Sequence, residues 1–372
     1  MMLVAERTAL LAALAAVLPF ARRGASGAVS CDEDGAVLVT AAGAGGGARF
    51  ATIGRAVLPG AVSLPLEPLA RALRSSAGSR VEIAGSPTAT AVVIDGESTA
   101  ARKYTFAPAD ADDAPEWPDE AAGVGLSLPA AAFRRLVDQS VYAADRRGRT
   151  STGWATGGLE LTLAAGRLTL AATDAYRLAV ASAAVDVARG RKARFLLPEA
   201  AGRAWATASR KVEVVKLLLS DTSAAFEAGP LAVWTGPLAG SFPAWAGAAP
   251  EPAHRVALPA ESFRAALRGA LAVADPEQPL IHITTRAGGV TVGAAAGRSR
   301  FEGKVAVPRF AGPAANLPLD GRRLLEAAAA LDAPGLTLAY DAPDRPVRLA
   351  AGPDSWCMLA PWIERERRGD QK

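Results

Sequence analysis

One stretch of the sequence occurs twice, and this internal repeat limits the folds that the chain can adopt. Residues 128–141 begin with Leu-Pro-Ala and continue with Phe-Arg and further apolar residues, and residues 258–271 repeat this order 130 positions later. In both copies the apolar residues lie at i, i+3, i+4 and i+8, which predicts a helix with one buried face. The proline at the start costs no hydrogen bond, because the N–H groups of a first helical turn have no partner within the helix. We therefore expect tandem copies of one folding unit.

Alternating apolar residues follow the repeated helices and predict antiparallel strands. Alternating leucines precede the turn Ala165–Arg167, and alternating isoleucines precede Ala287–Gly289. Period-two alternation closed by a glycine turn is typical of half-buried antiparallel strands. Leu-Pro steps at Pro65, Pro198 and Pro318 predict a second helix in each copy. The predicted fold class is α+β, with two helices packed on antiparallel sheets in each of three domains: 1–122, 123–250 and 251–372.

Composition excludes several other classes of protein. The chain has 372 residues, which suits two or three domains, and its net charge of +4 permits an acidic partner such as nucleic acid. Two cysteines and two histidines argue against a disulfide scaffold and a His-built zinc site, so we expect no metal and no cofactor. No apolar run reaches the roughly 20 residues that span a bilayer, so no membrane partner is expected.

The amino-terminal region allows two interpretations. Residues 8–20 are rich in Ala and Leu, and Ala28–Cys31 resembles a lipoprotein cleavage box. An export signal begins with basic residues, whereas here Glu6 offsets Arg7 and Arg22–Arg23 follow the apolar stretch. We expect a buried amphipathic helix in a cytoplasmic protein with reduced thiols. An exported lipoprotein is the alternative.

Three short motifs carry a resemblance to a known family. Residues 172–179 read Ala-Thr-Asp-Ala-Tyr-Arg-Leu-Ala. Gly240–Pro243 is followed by Pro250, and Cys357–Trp362 lies near the end of the chain. These motifs resemble the Ala-Thr-Asp-Gly-His-Arg-Leu-Ala signature, the segment between the second and third domains, and the closing Met-Pro-Met-Arg-Leu motif of the bacterial sliding clamp, the beta subunit of DNA polymerase III.

The chain departs from the family's pattern inside these motifs. Ala175 and Tyr176 stand where the signature has Gly and His, and Ala360 and Trp362 stand where methionines are usual. Glu364 occupies the place of the terminal Leu, and the chain is basic where the family is commonly acidic. The resemblance is therefore to a divergent clamp.

The resemblance implies a non-catalytic ring around DNA. Family members form head-to-tail homodimers, so the chain would be half of a six-domain ring that encircles double-stranded DNA non-specifically. DNA polymerase and the clamp loader would bind through short peptide tails. The ring must slide, so its cations would contact phosphates without reading bases. The implied DNA-binding residues are Arg22, Arg23, Arg71, Arg134, Arg146, Arg147, Arg149, Arg203, Arg210 and Lys211. For each of them taken singly, a solvated surface charge is the alternative.

The resemblance also implies two protein-binding surfaces. The groove for partner peptides would consist of Thr173, Ala175, Tyr176, Arg177, Leu178, Pro250, Leu359, Ala360, Pro361 and Trp362. The dimer interface would consist of Tyr104, Phe106, Leu271 and Ala272. Structural alternatives exist for several positions, since Asp174 can tie a turn and pair with Arg177, Leu178 can belong to the core, and Tyr104 can lie on an ordinary core strand.

Motifs of common enzymes are absent from the sequence. There is no Gly-Lys-Ser/Thr phosphate loop, no Gly-x-Ser-x-Gly elbow and no His-Glu-x-x-His motif. His282 and Cys357 lie among apolar residues at strand-like spacing, which favours a structural position for both over catalysis. We therefore expect a clamp for replication or repair. The alternative is a clamp paralogue that binds a clamp inhibitor or partner peptide as a resistant substitute or decoy.

Overall fold

The structure is a computed structural model that describes residues 1–21, 26–43, 46–85, 89–95, 102–107, 117, 123–145, 154–187, 190–246, 252–307, 310 and 312–362. The helices are α1 (Arg7–Val17), α2 (Leu66–Arg74), α3 (Ala130–Asp138), α4 (Glu199–Ala208), α5 (Ala260–Leu271) and α6 (Gly321–Ala330). The strands are β1 (Met2–Glu6), β2 (Ser26–Cys31), β3 (Ala36–Gly43), β4 (Gly46–Leu58), β5 (Gly60–Pro65), β6 (Arg80–Gly85), β7 (Thr90–Asp95), β8 (Arg102–Phe106), β9 (Val124–Pro129), β10 (Gly158–Ala164), β11 (Arg167–Thr173), β12 (Arg177–Ala184), β13 (Ala193–Pro198), β14 (Val214–Leu219), β15 (Ala224–Ala228), β16 (Leu231–Thr235), β17 (His254–Pro259), β18 (Leu280–Arg286), β19 (Gly289–Ala296), β20 (Ser299–Ala306), β21 (Ala315–Asp320), β22 (Gly335–Tyr340), β23 (Val347–Ala350) and β24 (Ser355–Leu359).

The same order of elements occurs three times along the described chain. One strand, a helix, four strands, a second helix and three strands run from β1 to β8, again from β9 to β16, and again from β17 to β24. The order confirms the predicted α+β class and the three copies with two helices each. The predicted boundaries at residues 122 and 250 fall outside the described residues.

Contacts divide the chain into two compact units. The first unit consists of 1–134, 163–166 and 185–237, and the second of 135–162, 167–184 and 238–372. The sheet of the first unit follows the path β8-β7-β6-β1-β4-β16-β15-β14-β9, with β3, β2 and β5 joined to it at β4. The second unit contains the path β10-β11-β12-β24-β23-β22-β17 and a four-stranded sheet in the order β20-β19-β18-β21. The strand pairs β1–β4, β11–β12, β12–β24 and β18–β19 are antiparallel, as the alternation predicts.

Proline stands between strand and helix at four of the six helix starts in the described chain. Pro65, Pro129, Pro198 and Pro259 are each the last residue of a strand, directly before a helix. The prediction for Pro318 is wrong by a few residues, because Pro318 lies within β21 and α6 begins at Gly321. Asp320 starts that helix instead, since its side chain accepts hydrogen bonds from the backbone N–H groups of residues 322 and 323.

The amino-terminal apolar segment forms α1, whose Leu10, Ala13, Leu14 and Val17 are buried. The structure thus confirms the predicted buried helix, which continues into a short 3₁₀ turn at Leu18–Phe20. Within the described ranges, no helix has the length and apolar character needed to cross a bilayer.

Candidate functional site

A tight turn between β11 and β12 carries the motif that resembles the clamp signature. The side chain of Thr173 donates to the carbonyl of Arg177 at 2.6 Å and accepts from the N–H of Ala175 at 3.1 Å. The Asp174 carboxylate accepts the N–H groups of Tyr176 and Arg177, both at 3.0 Å. Asp174 therefore ties the turn, as the structural alternative predicts. Ala175 at its tip has a φ of +70°, a left-handed conformation that favours glycine.

The guanidinium of Arg177 is buried beneath this turn and has three partners, two carboxylates and one backbone carbonyl. Its Nε lies 3.2 Å from Asp174 Oδ2, which confirms the predicted pair. One terminal nitrogen donates to Glu326 at 2.5 Å, and the other donates to the Tyr142 carbonyl at 2.7 Å. Burial opposes the positive charge, but the carboxylates of Asp174 and Glu326 outweigh it and raise the pKa of Arg177. The side chain is thus a fixed cation that holds the turn on its support.

The 173–177 turn forms one side of this site, and helix α6 forms the other. Arg323 donates from Nε to Asp174 at 3.2 Å and from a terminal nitrogen to Asp320 at 2.5 Å. Its guanidinium lies 4.5 Å from the centre of the Tyr176 ring, a cation–π arrangement. Tyr176 is 52% exposed, so its outer face is available to a ligand. The pair forms a flat aromatic platform at the rim.

The closing segment of the described chain lies beside the turn. Strand β24 pairs with β12, so that Leu359 lies opposite Arg177. The N–H of Ala360 donates to the Tyr176 carbonyl at 2.8 Å, and the N–H of Trp362 donates to the Pro318 carbonyl at 2.8 Å. Ala360 and Trp362 are half-buried. Two segments that are far apart in sequence therefore meet, as the resemblance implies for the groove.

The structure brings together every predicted groove residue except Pro250, which lies outside the described residues. Leu178 is half-buried next to this site, opposite Met358 on β24. Sequence reasoning missed Tyr142, Asp320 and Glu326 as members of this site. Tyr142 and Glu326 have no local signal, because their hydrogen bonds to Arg177 span 35 and 149 residues. Asp320 binds Arg323 three residues later and caps α6, which an Asp directly before a helix signals locally.

Cys357 lies beneath the site as a buried thiol. Burial raises its pKa to about 12, so it stays protonated at neutral pH. Burial also raises the pKa of the nearby Tyr142. A protonated, enclosed thiol is a poor nucleophile, in agreement with the structural position predicted for it.

The cations that were predicted to face DNA differ in their surroundings. Arg71 and Arg74 are exposed on α2, and Arg210 and Lys211 are exposed just after α4. Arg71 lies 3.9 Å from the Glu67 carboxylate. Arg203 pairs with Glu199 within α4. Arg22, Arg23, Arg146, Arg147 and Arg149 lie outside the described residues.

Arg134 has a structural contact that recurs in the other two copies. It is half-buried on α3 and donates to the Ser209 carbonyl, just after α4, at 2.7 Å. Arg264 on α5 donates to carbonyls at the end of α6, including Ala328 at 2.8 Å. Arg7 on α1 donates to the Leu73 carbonyl near the end of α2 at 3.2 Å. In each copy, an arginine of the first helix therefore binds carbonyl groups that the end of the second helix leaves unpaired.

The residues predicted at the dimer interface lie on two accessible elements. Tyr104 and Phe106 are half-buried on β8, the last strand on its sheet path. Leu271 is half-buried at the end of α5 and Ala272 is exposed directly after it. Tyr104 lies 3.4 Å from the hydroxyls of Ser75 and of Ser76, which lower its pKa.

Comparisons with known proteins agree with this architecture. Residues 127–244 match the family described as DNA polymerase III beta subunit, central domain. No curated protein matches the chain. The DNA polymerase III subunit beta from Pseudomonas aeruginosa is similar in structure, with a TM-score of 0.87 at 17% identity, covering 98% of this chain and 100% of that chain. The sliding clamp from Bacillus subtilis gives 0.87 at 16% identity, with 98% and 100% covered. The Pseudomonas aeruginosa sliding clamp bound to griselimycin gives 0.85 at 17% identity, with 98% and 99% covered.

Proposed function

We propose that this chain, which has the sliding-clamp fold and a central domain matching the DNA polymerase III beta family, is a DNA sliding clamp. Two copies close head to tail into a six-domain ring, and duplex DNA passes through it. The ring holds DNA polymerase on its template for processive replication or repair, and the polymerase performs the chemistry. The observation that carries the proposal is the order of elements repeated three times, because a ring of similar domains needs similar units. The proposed location is the cytoplasm.

Two sheet edges support the closing of a ring. Among the described strands, β8 ends the sheet path of the first unit and β20 ends the four-stranded sheet of the second. An open edge exposes unpaired N–H and C=O groups, which the edge of another protomer can satisfy. In this arrangement Tyr104 and Phe106 on β8 would contact the β20 side of the second protomer. Leu271 would lie there too, because α5 packs against β20.

Exposed cations on helices support non-specific binding of DNA. Arg71, Arg74, Arg210 and Lys211 are described and exposed, and they lie on or directly after α2 and α4. Long hydrated side chains attract phosphates, and each contact is weak enough to exchange as a ring slides. Arg134 contributes less to this function, because its guanidinium is already bonded to the Ser209 carbonyl.

The site between the 173–178 turn and the closing segment supports docking of short peptide tails. Leu178, Pro361 and Trp362 are half-buried and offer apolar surface, while the Tyr176 ring is accessible at the rim. The Arg177 ion pairs hold this surface in place without entering it. A preformed apolar cleft with few polar groups suits an apolar peptide segment. DNA polymerase and clamp loader are the proposed owners of such tails.

A primer-extension assay tests this function. A loader and a replicative polymerase are supplied with a long primed template, with and without the chain. The proposal predicts longer products when the chain is present, and shorter products with Trp362→Ala. Asp344→Asn, at an exposed position, is the matched control and should behave like the parent. Products whose length is independent of the chain would contradict the proposal.

The departures inside the groove favour a second candidate, a clamp paralogue that acts as a resistant substitute or decoy. The Arg323–Tyr176 platform and Trp362 place large groups at this site. A similar Pseudomonas aeruginosa clamp is bound to griselimycin, so inhibitors of that type are suitable probes. Titration of a polymerase-tail peptide and of griselimycin separates the two candidates. A decoy binds the inhibitor but does not lengthen the products of the primer-extension assay. A substitute lengthens those products even when the inhibitor is present.

A further inference from the structure

A small cavity of about 240 Å³ lies over strands β17, β22 and β23 in the second unit. On β23, the half-buried Arg348 and Ala350 line it and alternate with the buried Val347 and Leu349, so the cavity lies on the sheet face that points away from the core. The volume is below the roughly 300–1,000 Å³ of small-molecule pockets, so the cavity suits one side chain or one small ion. Among the described residues, its lining consists of Pro252, Arg255, Thr337, Ala339, Arg348, Ala350, Gly352 and Pro353.

Two arginines lie on either side of the floor of this cavity. Arg255 on β17 and Arg348 on β23 both pair with Ala339, which lies on the strand between them. Residues directly opposite each other in an antiparallel sheet lie on the same face, so both arginine side chains leave the sheet beside the small Ala339. The cavity therefore has two cations above a floor of small side chains.

The charges of the described lining favour an anion, because it holds two guanidiniums and no carboxylate. The described carboxylates nearest to it in sequence have other partners, since Asp341 accepts the N–H of Ala253 at 2.7 Å and Asp354 pairs with Arg167. The two arginines of the lining have other contacts as well. A guanidinium carries five N–H donors, so it can keep one partner and bind a further carboxylate.

A series of contacts holds Arg348 in place. Its guanidinium lies 4.6 Å from the centre of the Trp356 ring. Trp356 makes an edge contact with Trp245 at 6.1 Å between ring centres. The Trp245 indole N–H donates in turn to the buried Glu160 at 2.7 Å. Because Arg348 is positioned before an anion arrives, little conformational freedom is lost on binding.

The cavity and the groove share one face of the same sheet. Leu178 of the groove pairs with Met358, and Met358 pairs with Arg348. Ala339 is the next residue in this row, three strands away from Leu178. Neighbouring strands lie about 4.8 Å apart, so the floor of the cavity is about 14 Å from Leu178. Four residues of an extended peptide span about 13 Å, and side chains four positions apart point to the same side.

We propose that this cavity binds an acidic side chain of the partner tail, four positions from the apolar residues that occupy the groove. The inference rests on the proposed docking of such tails in the groove. The apolar residues cover Leu178, and the carboxylate enters between Arg255 and Arg348 and accepts N–H donors from both. The cavity thereby selects acidic tails over neutral tails that have the same apolar residues.

Fluorescence anisotropy with the full chain and three dye-labelled peptides tests this selection. The acidic peptide is acetyl-Glu-Ser-Ser-Ser-Leu-Leu-Ser-Ser-Ser-Glu-amide, whose two glutamates serve either direction of the tail. The neutral peptide has Gln in place of both Glu. The respaced peptide, acetyl-Ser-Ser-Ser-Glu-Leu-Leu-Glu-Ser-Ser-Ser-amide, keeps the charge but places it next to the leucines. We expect the acidic peptide to bind about threefold to tenfold more tightly than either of the others.

Substitutions of arginine by methionine locate the acidic group. Arg255→Met and Arg348→Met each remove one guanidinium and should reduce the preference for the acidic peptide below about twofold, with unchanged affinity for the neutral one. Arg286→Met is the matched control, because it changes an exposed arginine of the same unit outside the lining and should keep the preference. Trp362→Ala should weaken all three peptides alike, because it acts on the groove. Arg255 is exposed, so Arg255→Met keeps the test valid should Arg348→Met unfold.

Four results would overturn the inference. Equal binding of the acidic and neutral peptides would do so and leave the function of the groove standing. Equally tight binding of the acidic and respaced peptides would do so too, because general attraction to a basic chain explains it. A preference that Arg255→Met and Arg348→Met reduce no more than Arg286→Met would place the acidic group elsewhere. Absence of saturable binding by all three peptides up to about 1 mM would contradict the function of the groove itself, and this inference with it.

Discussion

Replacement of Ala175 by glycine tests how the turn of the candidate groove is built. Ala175 is exposed and has a φ of +70°, so its side chain adds backbone strain and buries no apolar surface. Left-handed geometry costs an L-residue roughly 1–2 kcal/mol, and glycine avoids this cost. The glycine also lowers the free energy of unfolding by about 0.5–1 kcal/mol, because it gives the unfolded chain more conformational freedom. The difference predicts that Ala175→Gly raises the free energy of unfolding of the second unit by about 0.75 kcal/mol, the midpoint of a range that extends to about 1.5 kcal/mol.

Urea unfolding monitored by tryptophan fluorescence measures this difference, with Ala184→Gly as the matched control. Ala184 is exposed at the end of β12, in the same unit, and its φ is negative. There the substitution should lower the free energy of unfolding by about 0.5–1 kcal/mol, because only the entropy loss applies. The hydrogen bonds of Asp174 to the turn involve backbone N–H groups and survive both changes. If Ala175→Gly destabilised the chain as much as Ala184→Gly, the strain argument would be refuted.

Three further predictions follow from other parts of the molecule. Arg264→Met removes the donors to the Ala328 and Leu331 carbonyls and should lower the free energy of unfolding in urea by about 2 kcal/mol. Arg322→Met changes an exposed arginine and should leave that free energy almost unchanged. Equal effects of the two substitutions would contradict the role of Arg264 in binding the end of α6. The pKa of Cys357 is raised from 9.0 to about 12, so its contribution to stability is intact below pH 9 and is lost as the pH rises towards 12. Unfolding titrations should show a shallower alkaline decline in Cys357→Ala, and an unchanged slope would argue against the burial effect. Strands β8 and β20 both carry net positive charge, so they repel each other across the proposed dimer interface. Because salt screens this repulsion, sedimentation should show tighter dimers at higher salt. Weaker dimers at higher salt would show that these two edges do not face each other.

The sequence predicted the fold well because its signals are local. Prolines at strand ends and apolar residues at helical spacing define the helices, and the repeat extends this reasoning to all three copies. The proline signal does not locate the start of α6, because Pro318 lies within β21 and the helix is capped by Asp320. The turn at 173–177 was also predictable, since its bonds join residues within four positions.

The parts that sequence reasoning missed depend on tertiary contacts. Glu326 and Arg323 reach the turn across 149 residues, and no spacing in the sequence indicates such a contact. Arg264 lies on the polar side of an amphipathic helix, where a solvated or DNA-facing role is the natural prediction. In the structure it binds the end of α6 instead. A polar helix position therefore predicts exposure but not the partner that the folded chain brings to it.

Retention on circular DNA tests the central claim most directly. The chain is loaded onto a nicked circular duplex, and its dissociation is followed before and after a single cut linearises the same DNA. A closed ring of two protomers has no exit from a circle, so the account predicts long retention on the circle and rapid loss after the cut. Equal dissociation from both forms would contradict it, because binding would then rest on surface charge alone.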